Sequence, residues 1–135
     1  MSQATNILKK YIKDWLKSKF PTITNYSEDV PQNNATYPRI VYRINSSDQS
    51  SFPREDFGLV IQIHSNKTDT TDIDTLAGDI VGDGNLSNPT GLNYLVVNQA
   101  GLVFHSYLIN RDEELSSEQY QRQRNLSFIL KTYIS

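Results

Sequence analysis

Two stretches of this chain alternate apolar and polar residues, and that alternation limits its fold more than any other feature. In PRIVYRIN, Ile40, Tyr42 and Ile44 alternate with Arg39, Val41 and Arg43; in DFGLVIQIH, Phe57, Leu59, Ile61 and Ile63 alternate with Gly58, Val60, Gln62 and His64. A period of two sends successive side chains to opposite faces of a strand, so each stretch carries one core face. Pro38 is tolerated at the start of the first stretch, where a missing amide hydrogen leaves no ladder bond unmade. The spacing predicts two neighbouring strands paired antiparallel.

Elsewhere the period is helical. From Thr5 to Phe20, residues Ile7, Leu8, Tyr11, Ile12, Trp15 and Leu16 form one stripe, with Lys9, Lys10, Lys13, Asp14 and Lys17 outside it and Pro21 as the stop. A second helix is expected in DTTDIDTLAGDIVGDGN, where Ile73, Leu76, Ala77, Ile80 and Val81 share a face that Asp72, Asp74 and Asp79 avoid. Asp69 suits its N-cap, Asp72 complements the positive end of the helix dipole, and Gly82 and Gly84 supply the C-terminal stop. A short strand fits around Ile23 to Tyr26, a hairpin fits Asn93–Asn98 with Leu102–Asn110 across QAG, and a last strand runs through Leu126, Phe128 and Leu130 to Tyr133.

Two polar segments complete the plan: a Ser-rich loop from Asn45 to Asp56, much longer than a hairpin needs, and a charged connector from Arg111 to Glu118. Helix, two or three strands, helix, then three strands reads as one α+β domain over residues 1–135, a mainly antiparallel sheet with two helices packed on it.

Composition narrows the function. With 13 Lys and Arg against 15 Asp and Glu the formal net charge is -2, so nothing global favours a phosphate backbone as partner. The absence of cysteine removes thiolate catalysis, Cys-ligated zinc and disulfides together. The N-terminal segment breaks its apolar residues with lysines and offers neither a signal-peptide core nor a membrane span.

The aspartates of the second helix do not form a calcium loop. Counted from Asp72, the sixth position is Ala77 where a glycine is required; counted from Asp79, Val81 stands third and Thr90 twelfth, and neither can ligate as the motif demands. The GDG at 82–84 follows a helix instead of preceding one, so it is no phosphate loop, and no G-x-S-x-G elbow is present. No catalytic, metal or cofactor residues are expected. An enzyme or ligand-binding domain would have to rest on His64 or His105 with nearby carboxylates, and a lone histidine on a strand is usually only packed or solvated.

The linear order of KSKFP, YPRIVYRI (Tyr37 to Ile44) and the unit from Asp56 through Leu86, closed by EQYQRQRNLSFILKTYIS, resembles the tail completion proteins of long-tailed bacteriophages, the tail-to-head joining and tail terminator group. The resemblance spans nearly the whole chain and is least distinctive from Ser87 to Glu118. It implies a structural virion protein, assembled in the host cytoplasm, that caps the finished tail tube as a six-fold ring and meets the head connector. The implied partners are the tail tube protein, the head-connector protein and other copies of itself, without membrane or sequence-specific nucleic acid. A ring of identical subunits needs two different patches per subunit. The two polar segments are the candidates, through Asp48, Phe52, Arg54, Glu55 and Asp56 in the loop and Arg111, Asp112, Glu113 and Glu114 in the connector.

Overall fold

The computed structural model describes residues 2–27, 39–46, 54–65, 71–85, 87–99, 101–115 and 122–134. In chain order these form α1 (Ser2–Lys19), β1 (Thr24–Ser27), β2 (Arg39–Ser46), β3 (Arg54–Ser65), α2 (Thr71–Val81), β4 (Val96–Gln99), β5 (Leu102–Leu115) and β6 (Arg122–Ile134). The strands make one six-stranded sheet in the order β1-β2-β3-β6-β5-β4. Every neighbouring pair is antiparallel except β1 and β2, which run parallel. The α+β class is as the periodicity predicts.

Both helices lie on one face of the sheet. Leu8, Ile12 and Leu16 of α1 and Ile73, Leu76, Ala77, Ile80 and Val81 of α2 share one buried cluster with alternate strand residues: Ile40, Tyr42, Ile44, Phe57, Leu59, Ile61, Ile63, Phe104, Leu126, Phe128 and Leu130. Each fully buried Leu, Ile or Phe contributes roughly 1.5–3 kcal/mol of transfer free energy, so this face supplies most of the drive to fold. Tyr11 of α1 meets Phe104 of β5 edge-on at 5.4 Å between ring centroids, which carries α1 across the sheet. The helix closes with the Phe20 N–H on the Leu16 carbonyl at 2.9 Å, and Lys17 and Lys19 in its last turn complement the dipole.

The end of α2 is tied down by the segment that follows it. Gly82 takes φ 93° and its N–H donates to the Gly78 carbonyl at 2.8 Å. Leu92 and Asn93 then return, donating to the carbonyls of Ile80 (2.7 Å) and Val81 (3.1 Å), so the helix end keeps its acceptors satisfied. The two chain segments touch backbone to backbone at Gly82 and Gly91, where a Cβ on Gly91 would stand 2.4 Å from the Gly82 nitrogen. Lys19 adds a bond from α1 to the Thr90 carbonyl, while its ammonium lies over the Trp15 ring.

Boundaries differ from the sequence reading in the polar segments. The loop predicted from Asn45 to Asp56 is shorter at both ends, because Asn45 and Ser46 stay in β2, opposite Gly58 and Phe57, and β3 already starts at Arg54. The charged connector is half strand: Arg111 to Leu115 continue β5, each opposite a residue of β6 from Leu126 back to Arg122. Charged residues form a strand there because the partner strand, not an apolar pattern, supplies the reason. β4 begins at Val96, since Asn93 to Leu95 form a turn in which Tyr94 has φ 68°. The N-cap proposed for α2 at Asp69 lies outside the described residues.

Candidate assembly surfaces

Both helices lie on one side of the sheet, and among the described residues no helix or strand packs on the other. The residues between the core positions line that face: Val41, Arg43, Val60, Gln62 and His64 on β2 and β3, Ile129, Lys131 and Tyr133 on β6, Val103, His105 and Tyr107 on β5. Large apolar side chains stand in the open there or on its rim. Val96 is 58% exposed, Tyr133 39% and Ile109, at a bulge between Leu108 and Asn110, 64%. Tyr94, Tyr107, His105 and Tyr133 make a run of edge and tilted ring contacts 5.9 to 6.4 Å apart, with the Lys131 ammonium 5.5 Å from the Tyr107 ring. Polar-out alternation was legible for each strand; the apolar character of this outer face was not read from it, although Val41, Val60, Val103 and Ile129 are its trace.

The predicted contact residues divide into two groups that the fold holds apart. Asp48 and Phe52 lie outside the described residues. Arg54, Glu55 and Asp56 are strand residues opposite Tyr133, Thr132 and Lys131. Asp56 is only 7% exposed, so it is a buried strand position where the sequence suggested a loop charge. Arg111 to Glu114 sit at the other end of the sheet, opposite Leu126 to Gln123. Along β6 the nearest rows of the two groups are five residues apart, Lys131 to Leu126, about 17 Å at the usual strand rise.

The histidines are likewise separate. His64 is in the transverse row of Gln123, and His105 in the row of Lys131 and Asp56. His64 and Asp56 are eight residues apart on β3, about 26 Å, so the two rings cannot serve one substrate. His105 Nδ1 lies 3.3 Å from the Tyr107 hydroxyl, a contact that holds the ring against the sheet. The hollow between β2 and β3 lined by Val41, Arg43, Val60 and Gln62 is about 40 Å³, room for a water or two, whereas substrate pockets run to roughly 300–1,000 Å³.

The aspartates of α2 behave as helix residues. Asp72 and Asp79 are exposed, and Asp74 accepts a 2.7 Å bond from the Nε of Arg124 on β6, fastening the helix to the sheet. Among the described residues no three potential metal ligands come together. No described helix is long and apolar enough to cross a membrane.

No protein-family model matches this chain, and no curated protein does.

Proposed function

We propose that this protein is a structural component of a bacteriophage virion, one that ends the tail tube and joins it to the head connector as a ring of six copies. The observation that carries the reading is the exposed apolar side chains on the sheet face opposite the helices. A two-layer fold that shows Val96, Ile109 and Tyr133 to solvent on or beside that face is suited to acting through contact with other protein. The resemblance adds to this: its two most specific segments form β2, β3 and α2, the middle of the sheet and the helix over it, so they lie together in one folded unit.

The test is genetic and structural together. A phage lacking this gene makes full heads and finished tubes that stay apart, and supplying the protein restores joined, infectious particles. Normal particles from the deletion phage would sink the reading. Light scattering of the protein mixed with purified tail tubes then shows whether it binds tube ends and in what number.

A further inference from the structure

The sheet ends in two unlike edges that fit each other. On one side the outermost strand is β1, four residues long. On the other, β4 covers only the first part of β5, Leu102 to His105, with residues 93–95 beside the next part. From Arg111 to Leu115 no described strand pairs with the outer edge of β5, so among the described residues that edge is open.

The registers place these two edges at the same level. Thr24 is opposite Arg39, Arg39 opposite His64, His64 opposite Gln123 and Gln123 opposite Glu114. The next three rows join Asn25 to Glu113, Tyr26 to Asp112 and Ser27 to Arg111 in the same way. Direction agrees as well. β5 runs with β3 and opposite to β2, and β1 runs with β2, so β1 of a copy set beside β5 in the same orientation arrives antiparallel. Its four residues meet the stretch that β4 leaves uncovered.

We infer that successive copies associate head to tail through β1 of one and the Arg111–Glu114 edge of β5 in the next, so that the sheet continues from subunit to subunit. The inference rests on the ring reading and supplies one of its contacts. Two unlike edges give the heterologous contact a ring requires. Charge selects against the symmetric alternative. A two-fold pairing of β5 with β5 centred on this stretch puts the residue on the axis opposite its own copy, and Arg111, Asp112, Glu113 and Glu114 are all charged. β1, of sequence TNYS, carries no charge, so it meets the same edge without repulsion. A charged edge that deters its own kind while accepting an uncharged strand is specific by exclusion.

The chain has no cysteine, so a cross-linking test has a clean background. Asn25→Cys and Glu113→Cys are made separately, and the thermal unfolding of each is compared with the parent first. Each is treated with a short bismaleimide, alone and as a mixture, at high protein concentration and again on tail tubes. The expected result is a cross-linked dimer from the mixture, nearly none from either variant alone, and a ladder of higher species from the double variant. A dimer from Glu113→Cys alone or from Asn25→Cys alone means a two-fold contact and overturns the inference. Absence of cross-links in completed tails overturns it while leaving the tail reading standing; cross-links in a protein that tails do not need would do the reverse.

Discussion

At the scale of single residues, the two closely placed glycines and the aspartates of α2 give the sharpest expectations. Gly84 has φ 76° and open space around it, so Gly84→Ala incurs the left-handed penalty alone, about 1–2 kcal/mol. Gly91→Ala would drive a Cβ to 2.4 Å from backbone atoms of Gly82 and Val81, which cannot swing aside as a side chain can, and should cost about 3 kcal/mol or more. Urea unfolding of the two variants tests the order; equal losses would mean that the Gly82–Gly91 approach is not maintained in solution. For the aspartates, Asp72→Asn should stay within about 0.5 kcal/mol of the parent. Asp74→Asn loses the ion pair with Arg124 and should cost about 0.2–1 kcal/mol, a difference that shrinks in high salt. If Asp72 proved the costlier of the two, the Arg124 contact would not be the one that matters.

At the scale of elements, the helices hold by their buried stripes. Leu76→Ala empties a core position between α2 and the sheet and should cost about 2–5 kcal/mol, read as a lower urea midpoint with an unchanged slope. Tyr11 gives α1 a pH signature. Burial pushes its hydroxyl above the ordinary value of 10.0. The folded chain therefore keeps this proton where the unfolded chain has lost it. The resulting stability is whole below pH 10.0 and is lost as pH rises through the raised folded value. Tyr11→Phe should accordingly lose less stability than the parent between about pH 9 and about pH 11, measured by urea unfolding at each pH. An equal loss in both proteins would assign the alkaline sensitivity to other tyrosines.

At the scale of the whole molecule, the proposed assembly role rests on the exposed Val96, Ile109 and Tyr133 and on the two sheet edges. A catalytic role for the histidines would show in their removal. His64→Gln and His105→Gln should each fold and each complete tails at the parental level, measured by plating on a strain that supplies only the variant. A folded variant that failed to complete tails would give that histidine a role beyond packing. The same geometry sets Arg54–Asp56 and Arg111–Glu114 apart, with about 17 Å of sheet between their nearest rows.

The sequence by itself determined what depends on local period. Ile40, Tyr42 and Ile44, and Phe57, Leu59, Ile61 and Ile63, face the core because alternation along a strand is a property of the backbone, and Leu8, Ile12 and Leu16 do so because a helix repeats every 3.6 residues. Gly82 stops α2 for an equally local reason, its freedom to take a positive φ. Only the tertiary structure decided what depends on partners far along the chain. RDEEL becomes strand because Leu126 to Arg122 lie beside it, and nothing in its own residues marks it so. Asp74 is fastened by Arg124, fifty residues away. β1 runs parallel to β2, and both helices settle on the same face of the sheet. Such choices turn on the sum of many weak long-range contacts, and no single window of sequence contains them.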